Sequence, residues 1–114
     1  MRGELRYDGA IFSDDLSMKA ARRVDGQVIS YTEAALRALE AGCDMVLLCN
    51  QSLGLGEHVD ELLDGMDDAL RTGRWQPNVD SESRRVALLP ETVPQPWDEL
   101  MLQPAYRDAL GLLN

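Results

Sequence analysis

Aromatic side chains are scarce in this chain, at 5% of 114 residues, so any core must rest on Leu, Val, Ile, Met and Ala. Positive charge is also scarce. Eleven Lys and Arg face twenty Asp and Glu, a formal charge of −9. Nucleic acid and anionic membrane both need clustered cations, so neither is expected as a partner. The two adjacent cationic pairs, Arg22/Arg23 and Arg84/Arg85, read as solvated faces. His58 is the sole histidine and Cys43 and Cys49 are the sole cysteines, which is too few ligands for a zinc site. Both cysteines lie in or beside an apolar run and read as buried reduced thiols. No run approaches the ~20 apolar residues that span a bilayer. Met1-Arg2-Gly3-Glu4 shows no apolar stretch of the kind that opens an export signal, so a cytoplasmic location is expected.

What is present is an alternation of short apolar runs and helical patterns. After the Asp8-Gly9 turn signal, Ala10-Ile11-Phe12 reads as a strand buried on both faces, interrupted by Ser13-Asp14-Asp15. Leu16 to Ala21 is helix-capable, and Asp25-Gly26 marks a turn. Ser30-Tyr31-Thr32-Glu33 has capping-box spacing. Ala34, Ala35, Ala38 and Leu39 then form an apolar stripe, and Gly42 stands where a left-handed helix end wants glycine. Asp44 to Asn50 reads as a second buried strand. Two such strands joined by a helix form a β-α-β unit with parallel strands.

Beyond the Gln51–Gly56 loop, Val59, Leu62, Leu63, Met66, Ala69 and Leu70 recur at helical spacing up to Gly73. Asp80 is a candidate cap for a shorter helix over Arg84 to Leu89, stopped by Pro90. Glu91 to Pro96 reads as an extended linker, and Trp97 to Leu113 as a helical pattern broken at Pro104. Two parallel strands rarely make a stable sheet alone, and a complete β/α barrel needs ~250 residues. The pattern therefore reads as a piece of something larger.

The chemistry-bearing run is Phe12-Ser13-Asp14-Asp15-Leu16-Ser17-Met18. Two carboxylates at the end of a buried strand can act as nucleophile, metal ligand or acceptor for a sugar hydroxyl. The competing structural reading is a helix cap, in which Ser13 or Asp14 satisfies the free N–H groups of a helix starting near Leu16. A magnesium site is disfavoured, because adjacent residues rarely point at one ion and no third acidic ligand is identifiable.

Tyr7-Asp8-Gly9-Ala10-Ile11-Phe12-Ser13-Asp14-Asp15-Leu16-Ser17-Met18 resembles the seventh-strand signature of bacterial glycoside hydrolase family 3 β-N-acetylhexosaminidases. Ala35-Leu36, and then Ala41-Gly42-Cys43-Asp44-Met45-Val46-Leu47-Leu48-Cys49-Asn50, are similar to that family's seventh helix and eighth strand, in the same order and at about the same spacing. The resemblance implies an α/β chain forming the last two β/α units of a TIM (β/α)₈ barrel over residues 1–73. Residues 74–114 would be a C-terminal helical tail, and the barrel would be incomplete. It implies removal of N-acetylglucosamine from peptidoglycan fragments during cell-wall recycling, with retention of configuration. Asp14 would be the nucleophile. Asp15 would contact substrate, orient Asp14 or cap the following helix, and Met18 would line the pocket or pack in the core. Asn50 ends the second strand on the same edge, where it could face the site, and reads first as a turn residue.

The family's acid/base His–Asp pair and its Lys-His substrate-binding segment have no counterpart here. His58 follows the second strand without a matching motif and reads as a surface histidine. The isolated chain is therefore expected to be inactive, with no cofactor and no metal. Its expected partners are the N-acetylglucosamine-containing substrate and either a polypeptide supplying the rest of the barrel or further copies of itself. A non-catalytic interaction module docking on another polypeptide is the alternative.

Overall fold

The computed structural model describes residues 2–113, so Met1 and Asn114, at the outer ends of the two expected segments, lie outside the described residues. The first strand, β1, is Phe12–Asp15. It therefore starts later than the apolar run and includes the polar residues expected to end it. The reason is hydrogen bonding. The carbonyl of Ile11 takes the N–H groups of Asp44 and Met45, and the Ser13 and Asp15 side chains that follow accept from the N–H groups of Leu47 and Cys49. Leu16 to Ala21, expected to be helix-capable, forms a series of turns instead. Leu16 is buried and its N–H donates to the carbonyl of Leu47 at 2.8 Å, which ties this stretch to the sheet and overrides its helical propensity.

A small antiparallel hairpin follows, β2 (Arg23–Val24) against β3 (Gln27–Val28). Its turn is the expected Asp25-Gly26. Both residues have positive φ, 50° and 82°, the backbone of a two-residue hairpin turn. Arg22, read as solvated, lies 4.0 Å over the ring of Tyr31 and donates to the carbonyl of Ile29.

Helix α1 is Tyr31–Glu40. Ser30 caps it by accepting from the N–H of Glu33 at 3.1 Å. The Glu33 carboxylate does not reach back to complete the box. It pairs instead with Arg37, one turn on, and with Arg74, just past the end of the next helix. Gly42, with φ 103°, lets the chain leave α1. Strand β4, Met45–Leu47, then lies parallel to β1. It is shorter than the expected Asp44–Asn50 run, which places Cys49 in the following loop. Both cysteines are free, but Cys43 is half-buried and Cys49 is exposed, not buried as expected. Burial raises the Cys43 thiol pKa, with the neighbouring Asp44 charge adding to it.

After a single 3-10 turn at Gln51–Leu53, α2 runs from Glu57 to Arg71 and closes at Gly73, φ 74°. Leu16, Tyr31, Ala34 and Ala35 form the buried core, with Ile29, Val46, Leu48, Leu62 and Met66 packed around it. Helices α1 and α2 approach closely at Gly65, where a β-carbon would stand 2.1 Å from Thr32 Oγ1 and 2.8 Å from Thr32 Cβ.

Helix α3 is Val79–Val86, capped by Asn78 rather than Asp80. Asn78 is extended, and its side chain accepts from Ser81 N–H at 2.9 Å, which starts the helix earlier than expected. Two short helices follow, α4 (Trp97–Leu100) and α5 (Pro104–Gly111). Pro104 occupies the first turn of α5, where its missing N–H costs nothing. Trp97 and Tyr106 meet edge to face at 5.7 Å and hold the two short helices together.

Among the described residues the parallel sheet has two strands, and it does not close. The radius of gyration is 18.9 Å, against about 13 Å for a compact chain of this length. Helix α1 covers the sheet on the side of Val46. The exposed side chains of the strand pair are Phe12, Asp14, Met45 and Leu47. Strands expected to be buried on both faces are thus covered on one. No helix among the described residues is long and apolar enough to cross a membrane.

Candidate active site at the strand ends

Chemistry-bearing residues gather where β1 and β4 end. The two strands are out of step there. Phe12 pairs with Met45 and Asp15 with Leu47, so three residue steps on β1 match two on β4. This is a β-bulge carrying one extra residue, and bulges of this kind re-aim side chains. It falls on Ser13-Asp14.

The structure separates the two adjacent carboxylates by their hydrogen bonds. Asp15 is occupied within the protein. One oxygen accepts from the N–H of Ser17 at 2.8 Å and of Cys49 at 3.0 Å, and the other from the Ser17 hydroxyl and, at 3.5 Å, from Asn50 Nδ2. These donors hold its carboxyl below the usual carboxylate range, with the Ser17 hydroxyl first and the Cys49 N–H next. Asp15 thereby ties the end of β1 to the loop after β4. Asp14 is exposed, and among the described residues its carboxylate accepts only from the adjacent N–H of Asp15, at 2.8 Å. Among the described residues it has no ion-pair partner. It stands with Phe12, Met45 and Leu47 on the uncovered side of the sheet. An exposed carboxylate with so few internal donors leaves oxygen lone pairs available to act as a nucleophile.

The remaining candidates are placed as follows. Met18 is exposed in the turn after β1, so it is not a core residue here. Asn50 has φ 62° and begins the 3-10 turn, while its amide reaches Asp15. His58 is half-exposed at the start of α2, 4.7 Å from the ring of Tyr31 and 3.4 Å from a Glu61 carboxylate oxygen.

The opposite end of the sheet holds a cluster that residue patterns did not reveal. Asp44 is 3% exposed. Arg84 donates twice to one of its oxygens, at 2.9 and 3.0 Å. The other oxygen accepts from Arg2 and from the N–H of Ile11 at 2.8 Å. Arg85 donates to its carbonyl at 3.0 Å and to Ser81. Burial alone would raise the Asp44 pKa, but Arg84, the Ile11 N–H, Ser81 and Arg2 together bring it well below the usual carboxylate range. Arg84 and Arg85 are therefore structural clamps joining α3 to β4, not the solvated pair expected. An arginine-lined cleft of about 380 Å³ lies beside them, its guanidinium groups already engaged by Asp44, Glu82 and Glu33.

A carboxylate-bearing strand end, a parallel β-α-β unit and a following helix fit the family that the sequence resembles, and comparison with known families agrees. Residues 1–89 match the glycosyl hydrolase family 3 N-terminal domain, and the chain belongs to that family. Among curated proteins it is similar to the β-hexosaminidase of Actinobacillus pleuropneumoniae serotype 5b (strain L20), with 35% identity over 109 residues, 96% of this chain and 27% of that protein. The β-hexosaminidase of Bordetella avium (strain 197N) is 38% identical over 109 residues, 96% of this chain and 26% of the relative. That of Bordetella pertussis (strain Tohama I) is 39% identical over 112 residues, 98% and 27% respectively. The chain thus spans about a quarter of the length of these relatives.

Proposed function

We propose that this chain supplies the nucleophile strand of a retaining β-N-acetylhexosaminidase acting on terminal N-acetylglucosamine of peptidoglycan fragments. In this reading residues 1–73 are the last two β/α units of a (β/α)₈ barrel, residues 74–114 are a tail, and the remaining strands come from another stretch of polypeptide. The observation that carries the reading is the division of labour at the end of β1. Asp15 is held by donors from Ser17 and Cys49, whereas Asp14 is exposed and, among the described residues, its carboxylate accepts from the adjacent Asp15 N–H alone.

An Asp14 oxygen attacks the anomeric carbon, the bond from that carbon to the leaving oxygen breaks, and a glycosyl ester forms. Water then attacks the same carbon and releases Asp14 as the carboxylate. Protonation of the leaving oxygen and activation of the water belong to an acid/base outside these residues. Asp15 keeps the strand ends together, and Met18 forms part of the sugar-facing wall.

The test is a chimera. The first three-quarters of the Actinobacillus relative is joined ahead of this chain and assayed on a fluorogenic β-N-acetylglucosaminide. The expected result is turnover that falls roughly 10³-fold or more in Asp14→Ala, as loss of a nucleophile requires, and less in Asp15→Ala. The 114 residues alone should give no measurable turnover. Near-unchanged turnover in the Asp14→Ala chimera would overturn the assignment. The uncovered apolar side of the sheet also supports a second reading, a non-catalytic module that docks on another polypeptide. A folded chimera that never turns over substrate favours it.

A further inference from the structure

We propose that Ser13 is a positioning residue for Asp14, its hydroxyl holding open the β-bulge that presents the carboxylate. The inference rests on the reading of Asp14 as the nucleophile, and it concerns what fixes Asp14 in place.

On either side of the bulge the two strands are joined through backbone groups. Before it, the carbonyl of Ile11 takes Asp44 N–H at 2.8 Å. After it, Leu16 N–H donates to the carbonyl of Leu47 at 2.8 Å. Between these points the extra residue on β1 puts the ladder out of step. The Ser13 hydroxyl adds a side-chain tie across the strands there. It accepts from Leu47 N–H at 3.0 Å and donates to the carbonyl of Asp14 at 2.7 Å. A hydroxyl has one proton to give and lone pairs to receive, so a single group can do both. Alanine can do neither, whereas threonine can do both.

Asp14 is then held at two points: its carbonyl by Ser13, and its carboxylate by the N–H of Asp15 at 2.8 Å. Without the Ser13 bridge the bulge loses its side-chain tie from β1 to β4, and Asp14 loses one of its two holds. A displacement of about 1 Å in a reacting group can cost roughly 10²-fold in rate.

The experiment uses the 114-residue chain and hydrogen–deuterium exchange read at single amides by fragmentation mass spectrometry. Leu47 N–H reports the Ser13 bridge, and Asp15 N–H reports the place of the Asp14 carboxylate. Leu36 in α1 is the folding control. In Ser13→Ala both reporters should exchange about fivefold faster, as loss of one hydrogen bond implies, with Leu36 unchanged. Ser13→Thr should restore both. Asp14→Ala should speed exchange at Asp15 and leave Leu47 as it was, so the test stands whether or not Asp14 is the nucleophile. Unchanged reporters in Ser13→Ala would overturn the proposal. If Ser13→Ala also loosens Leu36, Ser13→Thr decides: wild-type protection supports the bridge, and its loss refutes it.

Discussion

Replacing Asp44 with alanine tests the packing account most severely, because one buried carboxylate holds three separate parts of the chain. Its side chain is 1% exposed and is met by Arg84 from α3, by Arg2 from the first turn and by the Ile11 N–H at the start of β1. Removing one partner of a buried ion pair commonly costs 3–5 kcal/mol, since the other partner is left uncompensated. Here the arginines are 18% and 26% exposed and regain some water, which discounts the figure. The Ile11 N–H has no such recourse. We expect Asp44→Ala to lose about 2–4 kcal/mol, and Asp44→Asn, which keeps the shape and one acceptor, to lose about half as much. The assay is urea denaturation followed by circular dichroism, with hydrogen exchange on α3 as the local readout, since α3 should be released from β4. The folded pKa of Asp44 is depressed, so its contribution is present above the unfolded value of about 3.9 and is lost as pH falls toward the lower folded value. Wild-type stability should therefore decline more steeply than that of Asp44→Asn below about pH 4. A loss under about 0.5 kcal/mol in Asp44→Ala, with α3 exchange unchanged, would refute the reasoning.

Two further outcomes follow from packing. Gly65→Ala should destabilise the chain by about 1–3 kcal/mol despite alanine's better helix propensity, because the new β-carbon meets Thr32 and must push α1 and α2 apart; a thermal melt at or above wild type would contradict this. The exposed Phe12, Met45 and Leu47 should drive self-association of the isolated chain. Light scattering should show fewer oligomers for Phe12→Lys/Leu47→Lys, and a wild-type chain that is monomeric at all concentrations would argue otherwise.

The parts of this fold that were legible in sequence are those set by neighbouring residues. Ser30 and Gly42 bound α1 and Gly73 closes α2, each through a backbone requirement a few residues long, while Pro104, read as a break, begins α5. The parallel pairing of two short apolar runs across a helix was legible for the same reason. Asp44 was not, because a lone acid at a strand entry looks like a polar flank until Arg2 and Arg84, 42 and 40 residues away, are brought to it. The same non-locality hid the role of Arg84 and Arg85. The hairpin around Asp25-Gly26 escaped notice because its two-residue strands carry no periodicity. At the site, Asp14 and Asp15 stood out as a pair. Their separation into a free and an engaged carboxylate depends on Cys49 and Asn50 from the other strand end. The Ser13 bulge depends on strand register, which a single sequence does not print.

The central claim is that Asp14 forms a covalent bond to sugar. The most direct measurement treats the chimera with a 5-fluoro-N-acetylglucosaminyl fluoride, whose second fluorine slows release of the glycosyl ester, and locates the adduct by peptide mass spectrometry. The account predicts one added sugar on Asp14 and none in Asp14→Ala. A sugar attached to Asp15 or elsewhere, or steady turnover of the ordinary substrate with no adduct at Asp14, would contradict it.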